Sequence, residues 1–333
     1  MKAEADSAMK TIRQRISRAI GAMALAACAT GALAEAAYPT RPIRMIVPWP
    51  AGGSVDIATR IVTERASAGL GQPIIVENRP GATGNIGAVA AVKSAPDGYT
   101  LLVATSAMII NQSLNDSLPY NLAKDFSPVS TLVTSNYVLV VNPSLAGSVQ
   151  ELVSKARAQP GRITYASSGE GTQLHLIGEA FQKQTGVNIV HVPYKGAPPA
   201  LVDMVGGHIA MMFPGFPVVA PLLKSGQLKA LAVVGKHRLP GLPDTPTLAE
   251  AGVPGIDSAE WYGVVTPAGT PASVVTRLND EFVKALRSPD VRQRLTSRGF
   301  EPGGSTPGAF AELIQADEKK WPVVVKQAGL HRE

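Results

Sequence analysis

The stretch Val47-Pro48-Trp49-Pro50-Ala51-Gly52-Gly53-Ser54-Val55-Asp56 follows a short apolar run. It leads into Ile57-Ala58-Thr59-Arg60-Ile61-Val62, whose apolar positions recur at helical spacing. A strand ends, two glycines turn the chain, and a helix starts. The first N–H groups of a helix lack intrahelical acceptors and carry the positive end of its dipole, so such a junction suits an anion. Ser54 is suited to cap this helix and Asp56 to its first turn. The bland alternative is that Gly52 and Gly53 only make a tight turn. Ala166-Ser167-Ser168-Gly169-Glu170-Gly171-Thr172, followed by Gln173-Leu174-His175-Leu176, repeats the arrangement. There Thr172 reads as the cap, and His175 either donates to an anion or satisfies a backbone carbonyl. Ala104-Thr105-Ser106-Ala107-Met108 reads as a strand end whose hydroxyls reach a ligand or bond their own backbone. A fourth junction, Phe213-Pro214-Gly215-Phe216-Pro217, carries no side-chain donor.

Other chemistries are poorly served. The histidines at 175, 191, 208, 237 and 331 show no metal-ligand spacing, and Cys28 is the single cysteine. Gly169 and Gly171 lack the third glycine of a dinucleotide fingerprint, and no Gly-Lys-Ser/Thr follows them. No Gly-x-Ser-x-Gly elbow occurs, and Lys195 lies in a turn, Pro193-Tyr194-Lys195-Gly196, that reads as solvated. The expectation is a protein that is not an enzyme, with no metal and no cofactor.

The elements that must hold these loops alternate. Short apolar runs at 43–47, 74–77, 101–104, 137–141, 163–166, 188–192, 209–213, 230–234 and 261–266 suit buried parallel strands. Helical patterns lie at 56–69, 86–94, 149–158, 173–185, 197–205 and 218–224, then at 272–287, 291–298 and 307–328. The order predicts an α/β protein with helices on both faces of parallel sheets. Residues 137–141 and 261–266 are placed to cross between two lobes, with the last helices packing back on the first lobe.

Residues 1–34 read as a secretory signal peptide. Lys10, Arg13, Arg15 and Arg18 precede an apolar core at 19–27 that is too short to span a membrane, and Ala32-Leu33-Ala34 is a cleavage site. Met9 is an alternative start. Leu25-Ala26-Ala27-Cys28 also fits a lipoprotein box, so lipid anchoring at Cys28 stands beside cleavage at Ala34. Five of the 31 basic and two of the 25 acidic residues fall in this segment, leaving 26 and 23 in the rest. That mild, scattered balance excludes a nucleic-acid footprint.

Taken together, the loops carry a resemblance. Tyr38-Pro39-Thr40-Arg41-Pro42-Ile43, the stretch from Val47 to Asp56, Glu77-Asn78-Arg79-Pro80-Gly81-Ala82 and Ala95-Pro96-Asp97-Gly98-Tyr99-Thr100 come first. They are followed by Val192-Pro193-Tyr194-Lys195-Gly196, Pro243-Asp244-Thr245-Pro246-Thr247, and Trp261-Tyr262-Gly263 with Pro267-Ala268-Gly269-Thr270-Pro271. In this order they resemble the Bug family, the solute-binding proteins of tripartite tricarboxylate transporters, over residues 38 to about 329.

The resemblance implies a periplasmic-binding-protein-like fold: two α/β lobes, 38–138 plus 263–333 and 139–262, joined by a two-strand hinge with a ligand cleft between them. It implies a periplasmic monomer that holds a small carboxylate ligand. Its partners are then the membrane subunits of a tripartite transporter or, alternatively, a membrane sensor. The ligand contacts it implies are Trp49, Ala51, Gly52, Gly53 and Ser54 from the first loop. From the later loop they are Ser168, Gly169, Gly171 and Thr172, with His175 beside them, and Thr105 and Ser106 line the same cleft. The family often carries polar residues where Pro214 and Met108 stand and Asp where Ala210 stands. These departures make the distal pocket more apolar and point to a ligand without an ammonium group.

Overall fold

The structure is a computed structural model that describes residues 38–327 except Asp116 and Asp257. The expected signal peptide, Cys28 and His331 lie outside the described residues. The described residues from Arg41 onward pack as one compact unit.

The first half of the fold follows strand–helix alternation. β1 (Ile43–Val47) leads to α1 (Ser54–Leu70), β2 (Ile74–Asn78), α2 (Asn85–Val92) and β3 (Thr100–Thr105). β1 lies between β2 and β3, and both pairings are parallel. α3 (Ser106–Leu114) starts directly at the end of β3, and the short α4 (Leu122–Asp125) precedes β4 (Phe126–Val141). Residues 104–108, read from sequence as a loop, thus belong to a strand end and a helix start. α3 is buried on nearly every side, so it lacks the polar stripe by which an amphipathic helix is recognised.

The second half continues through α5 (Val149–Ala158), β5 (Thr164–Ser167), α6 (Gln173–Thr185), β6 (Val190–Pro193), α7 (Ala197–Val205) and β7 (Met211–Met212). α8 (Phe216–Lys224) and β8 (Lys229–Val234) complete it. The chain then returns as β9 (Ala259–Pro267), α9 (Ala272–Arg287), α10 (Pro289–Thr296), β10 (Phe300–Pro302) and α11 (Pro307–Gln327).

The sheet order is β2-β1-β3-β9-β4-β7-β5-β6, with β8 and β10 also on β4. The all-parallel expectation is corrected here. β9 is antiparallel to both β3 and β4, and β4 is antiparallel to β7, β8 and β10. A strand that returns from the far half beside the outgoing one must run against it. The crossing strand expected at 137–141 is also longer, 16 residues. Its first part pairs with β9 and its last five residues, from Tyr137, pair with β8. Register shifts at Pro128/Ser130, Thr131/Val133 and Leu139/Val140 mark bulges, which bend and twist a strand.

Two hydrophobic clusters gather at opposite ends of this strand. One gathers 137–141 with Tyr165, Phe181, Met211 and Phe213; the other gathers Ile46, Leu102, Met108, Trp261, Phe310 and Trp321. α11 is clamped onto β9 in the second cluster. Trp261 meets Phe310 edge-on at 5.2 Å between ring centroids, and its indole N–H donates to Asp317 at 2.7 Å. Gly263 makes the approach possible, because a Cβ there would lie 2.2 Å from the Phe310 ring. Gly263→Ala is therefore expected to destabilise the fold by about 1–3 kcal/mol, the usual cost of overpacking. Gly308→Ala, whose Cβ meets open space, is expected to leave the denaturant midpoint near wild type. Equal midpoints for the two variants would show that α11 is not held this way.

Candidate functional site

The loop after β1 is fixed by its own hydrogen bonds. The Gly52 N–H donates to the Asp56 carboxylate at 2.9 Å and the Gly53 N–H to the Pro50 carbonyl at 3.3 Å. Asp56 also accepts from Arg60 at 2.9 Å and from Asn78 at 3.0 Å. Burial raises its pKa, but these donors outweigh it and hold the carboxyl below the usual carboxylate range. Ser54, expected to cap α1, is instead its first helical residue. Gly53 occupies the cap position, with no side chain to offer. The first bond of the helix runs from Ile57 N–H to Gly53 carbonyl, so the N–H groups of Ser54, Val55 and Asp56 precede it.

The loop after β5 has the same construction. The Thr172 hydroxyl donates to the Gly169 carbonyl at 2.7 Å, and the Gly169 N–H donates to the Ser167 hydroxyl at 3.1 Å. Thr172 takes the cap position as expected, though its side chain closes the loop rather than capping the helix. The first helical bond joins Leu176 N–H to Thr172 carbonyl, which leaves the N–H groups of Gln173, Leu174 and His175 ahead of it.

Both helix starts open on one cleft. Its volume is about 520 Å³, part of it open to solvent. Of the residues expected at a ligand site, Trp49, Gly53, Ser54, Ser168 and Thr172 line this cleft. Ala51 and Gly52 lie on the exposed outer turn. The N–H groups of Gly169 and Gly171 are taken by Ser167 and His175, and Thr105 and Ser106 are buried and do not line the cleft. No lysine, arginine or histidine is among the lining residues.

His175 is turned away from the cleft. Its Nδ1 accepts the Gly171 N–H at 3.2 Å, and its ring stacks on His191 at 4.0 Å between centroids, 7° from parallel. That fixes Nδ1 as an acceptor, so the expected donation from His175 to an anion or a carbonyl is not made by this atom. Burial pushes the His175 pKa down, partly opposed by Glu179 and Glu170. Burial, and then His175, push His191 down to about 4. The His191 Nε2 lies 2.6 Å from the Ser167 hydroxyl. That pair resembles a nucleophile and its base, but Ser167 is fully buried and does not line the cleft.

The residues missed from sequence lie on the inner wall. Tyr137, Gln173, Glu260 and Tyr262 all line the cleft. Glu260 and Tyr262 share one face of β9 by strand alternation, while Trp261 points to α11. The Tyr137 hydroxyl donates to Glu260 Oε2 at 2.7 Å, and the Tyr262 hydroxyl to the same oxygen at 3.3 Å. The Thr105 hydroxyl sits beside this carboxyl without full hydrogen-bond geometry, so its help is slight. Burial raises Glu260 to about 7 against these donors. Gln173 Oε1 accepts from Ser106 at 2.9 Å and lies 3.3 Å from the Tyr137 oxygen, whose single hydrogen goes to Glu260, and the Gln173 amide donates to Ser258 at 2.6 Å and the Ala259 carbonyl at 2.9 Å. Gly215 seals the wall, since a Cβ there would lie 2.7 Å from the Ser54 hydroxyl. A glutamate inside an otherwise apolar strand was the available signal, because unpaired acids are rarely fully buried. Among the described residues no cluster of His, Cys, Asp and Glu is arranged to hold a metal.

The family profile of the tripartite tricarboxylate transporter family receptor matches residues 58–330, and the chain belongs to that family. The Bordetella pertussis protein BugT is 39% identical over 295 residues, covering 88% of this chain and 90% of its own. A solved structure described as a periplasmic transporter is 42% identical with a TM-score of 0.85, covering 88% of this chain and 99% of that one. An R. palustris protein solved with adipate is 37% identical with a TM-score of 0.86, covering 89% of this chain and 100% of that one. The fold is thus the periplasmic-binding-protein-like fold that the resemblance implied.

The histidine stack predicts a pH dependence of stability. A folded-state pKa of about 4 against an ordinary 6.5 means that the unfolded chain binds the extra proton between those values. The His191 contribution is therefore complete above about pH 6.5 and is lost as pH falls towards 4. Discounted for partial exposure, the loss is on the order of 2 kcal/mol. Urea unfolding of wild type and His191→Gln at pH 7 and pH 4.5 should show the smaller pH difference in the variant. Parallel pH profiles would mean that the imidazole is not held neutral.

Proposed function

We propose that this chain is a periplasmic receptor that captures a small carboxylate in the cleft and delivers it to the membrane subunits of a tripartite transporter. One observation carries the reading: the starts of α1 and α6 converge on a single cleft that no basic side chain lines. Helix N-termini recognise an anion through backbone N–H groups and need no cationic partner. The adipate bound to the R. palustris relative supports the ligand class. The receptor works as a monomer. Its lobes comprise 38–138 plus 263–333 and 139–262, a division supported by the two hydrophobic clusters that gather at opposite ends of β4. Neither helix start suffices alone. A hydrogen bond to a charged group contributes about 1.5–3 kcal/mol, while micromolar binding needs about 8 kcal/mol. Donors from both lobes are then required, and full affinity comes with closure.

The protein, unfolded and refolded to remove carried ligand, should melt at a higher temperature with mono- or dicarboxylates, adipate and malate among them. Ligand at 100 times its dissociation constant adds about 2.7 kcal/mol. No shift from any carboxylate, in a preparation that melts cooperatively, would defeat the reading. A backbone test is available at Ser54, the first residue of α1, where proline is tolerated because its N–H has no helical acceptor. The preceding Gly53, at φ −75° and ψ 166°, already has the extended conformation that proline requires. Ser54→Pro removes one donor and should weaken carboxylate binding about tenfold or more relative to Ser54→Ala, which keeps it. Equal affinities for the two variants would show that this N–H does not touch the ligand.

A further inference from the structure

We propose that Glu260 meets the ligand as a neutral acid, so that a carboxylate is captured together with one proton. The inference rests on the carboxylate reading above and names a residue that tunes it. Glu260 lines the cleft, and only 7% of its surface is exposed. The groups facing it come from every element around the inner wall. Tyr137 comes from β4, Tyr262 from β9 itself, Thr105 from the end of β3 and Gln173 from the start of α6. Ser54 from α1 reaches the same group through Tyr262. None is cationic, and among the described residues Glu260 makes no ion pair.

A bound carboxylate would therefore share a small buried cleft with a second carboxyl and no positive side chain. Two carboxylates in so small and buried a site repel strongly, which favours neutralising one of them. Either Glu260 holds a proton, or the ligand brings a cation. The surroundings favour the proton. Both phenols direct their hydrogens to the same oxygen, Oε2, which leaves Oε1 as the natural seat of the proton. The phenols themselves are held well above their ordinary pKa by burial and stay protonated. Glu260 is the group poised to change, already raised to about 7 before an anion arrives. An incoming carboxylate raises it further, and by linkage the complex then binds a proton that the free protein lacks above pH 7. Affinity must fall as pH rises, at most tenfold per unit.

Two measurements test this. The first needs no ligand: carboxyl carbon NMR of the full mature chain labelled at glutamate, with Glu260→Gln identifying the resonance. A midpoint near 7 is expected, and a midpoint near the ordinary 4.5 overturns the proposal. The second is calorimetric titration between pH 6 and pH 9 with adipate, malate, benzoate and glutamate as probes. The wild type should lose between tenfold and 100-fold in affinity between pH 7 and pH 9 for the acid it binds. Glu260→Gln should bind that acid with a pH-independent affinity. A flat wild-type profile overturns the proposal while leaving the carboxylate reading intact. Glutamate binding far more tightly than the other probes, and lost in Glu260→Gln, overturns it in favour of a charged Glu260 that holds an ammonium group. If no probe binds at any pH, the carboxylate reading falls and takes this proposal with it, whatever the NMR midpoint.

Discussion

The antiparallel pairing of β4 with β9 is the constraint on which the rest of this structure depends. β4 pairs with β9 along its first part and with β8 along its last without a break, and the two hydrophobic clusters gather at its opposite ends. β9 is the return strand, and its register on β4 fixes three features at once. It presents Trp261 and Gly263 to α11, sets Glu260 and Tyr262 towards the cleft, and places Tyr137 where β4 exchanges one neighbour for the other. A one-residue slip would reverse the faces of β9, putting Glu260 against the Phe310 cluster and Trp261 in the cleft. The fold and the inner wall of the site are thus specified by the same ladder of hydrogen bonds.

The two loops at the mouth follow a different logic. Each closes on itself through internal hydrogen bonds, to Asp56 in one and from Thr172 in the other. What remains for a ligand is the start of each helix, held rigid by that internal bonding, and the Trp49 indole N–H, which is buried without a partner among the described residues. Rigid donors lose little entropy on binding, which is why backbone N–H groups make effective anion sites without a salt bridge. The absence of basic residues from the lining also has a consequence for release. An ion pair at the base of the cleft would hold the ligand by charge even when the mouth opened. On the proposed two-lobe division, donors divided between two helices release their hold together when the helices separate.

Much of this fold was legible because its elements obey simple periods. The helices at 149–158, 173–185, 197–205 and 272–287 have the bounds that pattern reading gives them. The failures have physical causes. The first part of β4, Phe126-Ser127-Pro128-Val129-Ser130-Thr131, carries the proline and serines of a loop. Its alternation is broken by two bulges, so no period of two survives. β10 is three residues long and exists only through its pairing with β4. At the site, the two strand–glycine–helix junctions were visible, because glycine and small hydroxyl residues mark such turns locally. The inner wall was not, since Tyr137, Gln173 and Glu260 come from separate elements and meet only through the tertiary path of β4 and β9. His175 misled for the opposite reason: its position beside the junction was right, but stacking on His191 turned its ring out of the cleft.

Gln173 shows how the mouth and the wall act together. Its amide accepts from Ser106 and donates to Ser258 and Ala259, with the Tyr137 oxygen 3.3 Å from its carbonyl, so both of its polar atoms are engaged. A satisfied buried amide has nothing to gain from a ligand through its side chain. Its backbone N–H, at the first position of α6, is the part that remains. The side chain therefore serves as the anchor that brings the start of α6 against β4, α3 and the entry to β9. On the proposed two-lobe division, opening the cleft breaks several of these bonds and wets the rest. A neutral hydrogen bond exchanged for water costs only about 0.5–1.5 kcal/mol. The network thus sets the closed geometry firmly but favours it weakly. A ligand needs only a modest preference for the closed form to shift the balance.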